Sequence, residues 1–366
     1  MKITFVPHGY SPKPIGGLKV VYEYANLLVA RGHEVTVVHP DRLPNLVIRR
    51  NRLDRLRLWL NRNKREPRYS IVPPEVHWHQ IDSRVRMLYV PLPTPSYIPN
   101  SDAVFATFWA TAEYLLNYPE EKGKKFYFIQ SYDIWAGPKD RVDAIWRSSM
   151  EKIVVSRGLY EQGLKLGIPA NEMVHIPNGI DHDKYRILRP IGSRPPRIAM
   201  LYNPFYIKGA AEGIRALELA RNTFPGLQAV LFGIFPKPKE LPGWIEYQHD
   251  PPQEELVGGI YNGSSIYLCP SWHEGFGLPP AEAMACGCAV VSTDSEGVRD
   301  FAEHEVTALL SPPKYPEPLA ANIIRLLRDD ELRIRLAKAG HERIQEFTWE
   351  RSINLFERFM KDKIRQ

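Results

Sequence analysis

The chain has 366 residues, 44% hydrophobic and 25% charged, with a formal net charge of +6. That length is too great for one simple core, and that composition excludes large-scale disorder, so two domains of ordinary size are expected. There is no apolar run of about eighteen residues, and the apolar start "KITFV" is short, which argues against a membrane span or a secretory leader.

The basic character is local: residues 41–70 hold ten Lys/Arg against three acids. The three cysteines, Cys269, Cys286 and Cys288, form neither a paired framework nor a zinc-type ligand set. They read as buried thiols of a cytoplasmic protein.

In chain order, "KITFV" is a short strand and Pro12, Pro14, Gly16 and Gly17 form a loop. Leu18, Val21, Ala25 and Leu28 then fall at helical spacing, Arg31-Gly32 closes the helix, and "HEVTVVH" is a second strand. Strand, glycine loop, helix and strand make a βαβ unit with parallel strands. Further strands are expected at "VHWHQI" (76–81), "AVFAT" (103–107), "KFYFIQ" (125–130) and "KIVVS" (152–156). Between "HEVTVVH" and "VHWHQI", "RRNRLDRLRLWLNRNKR" places Leu53, Leu56 and Leu60 on one helical face among arginines. This reads either as a basic amphipathic helix on an anionic membrane surface (49–65) or as an extra helix packed on the domain. No nucleic-acid-reading motif accompanies the charge.

The pattern breaks at "HIPNGIDHDKY" (175–185) and restarts after "RPIGSRPPR". "IAMLYN" is a strand, "GAAEGIRALELARNTF" a helix, "LQAVLFG" and "IYLCPS" strands, "AEAMACG" a helix and "AVVST" a strand, with helices over 320–364. The fold class is therefore α/β. Two facing Rossmann-like, doubly wound domains are expected, with an interdomain cleft at the carboxyl ends of their strands. The boundaries are placed at 1–186 for the first domain and 187–347 for the second, with a last helix near 348–366 returning to the first.

The chemistry concentrates in "HEGFGLPPAE", which follows the strand "IYLCPS". Gly275 and Gly277 let the backbone approach a ligand, and Pro279 and Pro280 suit the first turn of a helix. The amides of Gly275, Phe276, Gly277 and Leu278 would then lie just ahead of a helix N-terminus, where a phosphate binds well. Glu282 could accept hydrogen bonds from two neighbouring hydroxyls, as a carboxylate does with ribose, and Glu274 would face whatever extends beyond the phosphate. Alone, the stretch is equally well read as an ordinary loop with a stabilising acid in the first turn.

The run "PSWHEGFGLPPAEAMACGCAVVST" resembles the nucleotide-sugar signature of retaining GT-B glycosyltransferases, most closely family 4. "PIGGLKVVYEYANLLVARGHEVTVV", "VVS" (154–156), "IPNGID" (176–181) and Lys208-Gly209 extend the resemblance in family order over nearly the whole chain. It implies that Lys208 neutralises the leaving diphosphate, where a fixed cation acts most strongly in the transition state. It also implies that Glu274 contacts the donor sugar and that Glu282 holds the ribose. Gly275, Phe276, Gly277 and Leu278 would line the sugar-phosphate, with Gly16 and Gly17 approaching it from the first domain and "DSEGV" (294–298) facing the same cleft.

The chain departs from the family at two places. Asn203 stands where an arginine usually accompanies the lysine, and "AVFATFWATAEYLL" lacks the first-domain histidine found in many members. Thr107, Trp109 and Thr111 are the side chains available there, and Trp109 would suit a less polar sugar such as a deoxyhexose. Tyr132 and Asp133, after the next strand, are candidates to meet an acceptor. His77 and His79 would share a strand face, without a third metal ligand in view.

The expectation is a metal-independent hexosyltransferase with no cofactor, taking a nucleotide-sugar donor and a glycan or lipid-linked acceptor, with no nucleic-acid partner. It would be cytoplasmic or peripheral on the inner membrane face. A silent nucleotide-sugar-binding scaffold and a GT-B epimerase or phosphorylase are the alternatives.

Overall fold

A computed structural model describes residues 1–46 and 75–366. The basic helix expected within 49–65 lies outside the described residues. The chain divides into two compact units. The first comprises Met1–Val154, Leu159–Ile176 and Ile353–Gln366, and the second Val155–Gly158 and Pro177–Ser352.

The first unit is built on seven parallel strands in the order β3-β2-β1-β4-β5-β6-β7. They are β1 (Lys2–Val6), β2 (Glu34–Pro40), β3 (Arg86–Val90), β4 (Ala103–Ala106), β5 (Lys124–Ile129), β6 (Glu151–Val154) and β7 (Met173–His175). Central β1 pairs Phe5 with Val37 on one side and with Phe105 on the other. Both faces of β1 and β4 are covered, which is why they read as continuous apolar runs rather than alternating ones. Helices α1 (Gly16–Ala30), α2 (Trp109–Leu116), α3 (Lys139–Trp146) and α4 (Arg157–Lys165) make the crossovers. Helix α1 ends where Gly32 takes φ +82° and the His33 amide reaches back to the Leu28 carbonyl, a glycine stop that closes the last turn.

The strand expected at 76–81 is not formed. Residues 77–79 make a turn, and the pairing partner of β2 is β3, further along the chain. The Asn26 side chain fastens this turn, donating to the Gln80 carbonyl at 2.8 Å and accepting from the Asp82 amide at 2.8 Å. Trp78 packs on Tyr22 with ring centroids 5.6 Å apart and donates its indole N–H to the Ser11 carbonyl. His77 points to solvent while His79 is largely buried, so the two do not share a face. No cluster of metal-ligating side chains occurs among the described residues.

The second unit has six parallel strands in the order β10-β9-β8-β11-β12-β13. They are β8 (Arg197–Leu201), β9 (Gln228–Gly233), β10 (Ile245–His249), β11 (Ile266–Cys269), β12 (Ala289–Thr293) and β13 (Ala308–Ser311). Helices α5 (Ala210–Thr223), α6 (Leu278–Ala285), α7 (Pro316–Arg328) and α8 (Asp330–Ile344) cover it. Its core joins Ile198, Met200, Leu231, Leu268 and Val291 to Leu217, Ile323 and Leu336. All three cysteines are buried and unpaired here, and burial pushes the Cys269 thiol up to about 11. The last helix, α9 (Trp349–Arg365), begins in the second unit, and from Ile353 onward it belongs to the first. No helix among the described residues is long and apolar enough to cross a membrane.

Candidate active site

In a doubly wound sheet the strand order reverses at one place, and the loops leaving the two strands there diverge to open a crevice at their carboxyl ends. In the second unit that switch point lies between β8 and β11. The loop after β8 carries Lys208 in a single helical turn, Tyr206–Lys208. The loop after β11 carries Glu274. The two meet: the Lys208 ammonium lies 2.8 and 2.9 Å from the two carboxylate oxygens of Glu274. Both are partly sheltered, with side-chain exposures of 27% and 12%, so the pair is better insulated than a surface ion pair but still reachable.

Backbone contacts fix this meeting. The Trp272 amide donates to the Ile207 carbonyl at 2.8 Å, tying the β11 loop to the β8 loop. Gly209, in the left-handed region at φ +60°, lies so close to Pro270 that an added Cβ would fall 2.1 Å from the Pro270 carbonyl oxygen. On the other side, the Glu274 amide donates to the Ser295 carbonyl, and Glu274 forms a bridge with Glu296. A Cβ on Gly297 would fall 2.4 Å from the Glu274 carbonyl oxygen. The stretch 294–298 thus buttresses the signature loop.

Beyond Glu274 the loop runs through Gly275 and Phe276 to Gly277, which takes φ +92° and precedes the first residue of α6. Pro279 and Pro280 occupy the first turn, where a missing amide hydrogen costs nothing. Among the described residues, no hydrogen bond uses the amides of Gly275, Phe276, Gly277 or Leu278 as donors. Phe276 is buried against Phe301 and Phe347, which anchors the loop from below. Glu282 lies one turn into α6 and is 6% exposed. It accepts a 3.3 Å hydrogen bond from the hydroxyl of Tyr261, on a stretch of π-helix over Leu256–Tyr261. Tyr261 was not found by sequence reasoning, because nothing in "LVGGIYN" marks a π-turn.

Asn203 does not act as a substitute cation. Its side-chain oxygen accepts from the Phe205 amide at 3.0 Å and closes a local turn.

In the first unit, Gly16 and Gly17 open helix α1, and the Gly17 carbonyl accepts from the Gln130 side chain at 3.1 Å. Thr107 and Phe108 leave the end of β4. The expectations for Trp109 and Thr111 change here. Both are fully buried. The Trp109 ring packs on Gly137 and under the Arg141 guanidinium at 4.9 Å, and the Thr111 hydroxyl donates to the Phe108 carbonyl at 2.9 Å. Neither presents its side chain to a ligand, so the deoxyhexose argument built on Trp109 falls with it. The Tyr132 hydroxyl is taken up by Asp143 at 2.5 Å. Asp133 is buried beside the first amide of α2, and burial raises its carboxyl to about 7 against hydrogen bonds from the Trp109 amide and the Ser131 side chain.

Two family models cover nearly the whole chain. Residues 15–184 match the one described as Glycosyltransferase Family 4, and 190–343 the one described as Glycosyl transferases group 1. The chain belongs to the GT-B glycosyltransferases of the family 4 type. The chain is 26% identical over 265 residues to the O-antigen biosynthesis protein RfbC of Myxococcus xanthus, covering 70% of this chain and 20% of that one. It is 32% identical over 108 residues to the O-antigen chain mannosyltransferase B of Escherichia coli, covering 30% of this chain and 28% of that one. It is 36% identical over 101 residues to a D-inositol 3-phosphate glycosyltransferase of Corynebacterium jeikeium, covering 28% and 24%. The matched stretches therefore span no more than 28% of these relatives' own length. In fold, the chain is similar to a sucrose-phosphate synthase from Thermosynechococcus elongatus, with a TM-score of 0.72 and 18% identity over 99% of this chain and 98% of the other. It is also similar to Anabaena HepE in complex with UDP-glucose, with a TM-score of 0.68 and 17% identity over 100% and 99%.

Proposed function

We propose that this glycosyltransferase moves a hexose from a nucleoside diphosphate to a hydroxyl of a glycan or lipid-linked acceptor, with retention of configuration and without a metal ion. The observation that carries the reading is the Lys208–Glu274 pair beside the unpaired amides of 275–278, ahead of Glu282. The donor diphosphate lies on the amides at the start of α6, with the ribose hydroxyls on Glu282. Glu274 accepts from hexose hydroxyls while Lys208, with three N–H donors, turns toward the phosphate.

As the bond from the anomeric carbon to the phosphate oxygen breaks, negative charge collects on that oxygen, where Lys208 and the amides stabilise it most. The acceptor attacks from the same face, and its hydroxyl proton passes to the departing phosphate oxygen. The first unit supplies the acceptor-binding residues. HepE, which shares this fold, was crystallised with UDP-glucose, and the relatives named for O-antigen work support a glycan acceptor. Contact of 49–65 with an anionic membrane belongs to the same proposal.

The test is a thermal-shift and turnover panel of UDP, GDP, dTDP and their hexose conjugates. Glu282→Ala should weaken the response to every nucleoside diphosphate by tenfold or more, about 1.4 kcal/mol. Glu274→Ala should mainly remove the extra response conferred by the sugar. If both variants match the wild type, these roles fall.

A further inference from the structure

The first unit has its own switch point, between β1 and β4, and there the sequence places a histidine that the motif reading passed over. His8 follows β1 in "VPHGY". The residue is exposed to solvent in this crevice, and its ring meets Phe108, just beyond β4, edge to face at 5.8 Å. The two loops leave from neighbouring strand ends, since the Thr107 amide reaches the Val6 carbonyl at 3.4 Å. Among the described residues, no hydrogen bond reaches either ring nitrogen of His8 or the hydroxyl of Thr107.

The loop holding His8 is built rather than loose. Gly9, at φ +144°, has its carbonyl oxygen 2.9 Å from Nδ1 of the buried His39. The other His39 ring nitrogen lies 3.3 Å from the Tyr22 hydroxyl, and the ring stacks on Tyr89 at 5.3 Å. Two buried partners thus fix the His39 ring, and through it the backbone that presents His8. An unpaired imidazole, an unpaired hydroxyl and an aromatic ring at a switch-point crevice match the needs of a sugar, with hydroxyls to be bonded and a C–H face to be covered.

We infer that His8, with Thr107 and Phe108 beside it, binds the attacking hydroxyl of a polyhydroxylated acceptor. The inference rests on the proposed glycosyl transfer and adds to it the acceptor-side group. His8 aligns the hydroxyl by a hydrogen bond, and the nucleoside diphosphate is held by other residues.

The experiment uses the full chain and the nucleotide sugar that the panel shows to be turned over, with water and methyl glycosides as acceptors. His8→Ala should keep the wild-type Kd for the free nucleoside diphosphate within twofold. It should lose tenfold or more in kcat for transfer to water, and raise the KM of any glycoside used. His8→Asn, which can still donate and accept, should recover at least threefold over His8→Ala. Wild-type kcat and acceptor KM in His8→Ala would overturn the assignment while leaving the proposed function standing. A wild-type chain that neither binds nor turns over any nucleotide sugar would overturn both.

Discussion

Asp133 and His39 are buried in the first unit with no opposite charge beside them among the described residues, so desolvation favours the neutral form of each, and they pull stability in opposite directions with pH. Burial raises the Asp133 carboxyl to about 7, so the folded state binds a proton that the unfolded chain releases near pH 4. Its contribution is full at low pH and is lost as pH rises through about 7. Burial lowers the His39 imidazole to about 4, against the Gly9 hydrogen bond, so its contribution is full above about 6.5 and is lost as pH falls toward 4. Asp133→Asn removes the first slope. Between pH 8 and pH 5 the wild type should gain roughly 2–3 kcal/mol relative to this variant. His39→Gln removes the second slope, and over the same interval the wild type should lose roughly 2 kcal/mol relative to it. Urea midpoints at the two pH values measure both, and pH-independent differences would refute the assignment. Neither residue announced its state in the sequence. Glu274 and Glu282 were legible because they sit in a strand–loop–helix stretch with turn-forming glycines and prolines, and Lys208 was legible only through the family resemblance of Lys208-Gly209. Asp133, His39, His8 and Tyr261 are single side chains whose surroundings exist only after folding.

At the scale of elements, legibility follows burial. The inner strands β1, β4, β5, β8, β11 and β12 could be read because covering both faces demands an unbroken apolar run. The strands misplaced or left unread are the four edge strands: β3, β7, β10 and the four-residue β13. Of these, β3, β7 and β10 are only partly buried, so their residues need not advertise a strand. At 76–81 the sequence misled in the other direction, since its aromatics pack as a turn on Tyr22 rather than alternate on a strand. The loops of the second unit are specified by close backbone approaches, and these can be tested apart from the side chains they carry. Gly297→Ala pushes a methyl into the Glu274 carbonyl and should weaken nucleoside diphosphate binding tenfold or more, with a stability loss of about 1–3 kcal/mol. Gly209→Ala adds a left-handed backbone to its clash with Pro270 and should cost more than about 2 kcal/mol as well as binding. Gly226→Ala, where an added Cβ meets nothing within 4 Å, should leave binding unchanged. Equal binding in all three, by calorimetric titration, would show that the loop is not held by these approaches.

At the scale of the whole molecule, the alternation of strand and helix and the order of the family landmarks made two α/β units readable. The last helix, expected from the family resemblance to return to the first unit, serves two units in turn. From Ile353 onward, α9 buries Ile353, Phe356 and Met360 at helical spacing in the first unit. Phe356 stacks on Phe105 at 5.0 Å and lies 4.6 Å from Tyr24 and 5.7 Å from Phe128, so a side chain of the last helix closes a core begun by β4, β5 and α1. Glu357 reinforces the docking through Arg31 and His33, both at 2.9 Å, and with Lys361 these hydrogen bonds lower its carboxyl to about 2 despite the opposing effect of burial. Phe356→Ala should therefore cost about 3–5 kcal/mol, and the loss should fall on the first unit. Hydrogen exchange followed separately in β1 and β4 and in β8 and β11 distinguishes the units: amides of the first pair should exchange faster, those of the second at the wild-type rate. An equal acceleration in both would mean that the two units unfold as one, and an unchanged rate in β1 would mean that α9 is not part of that core.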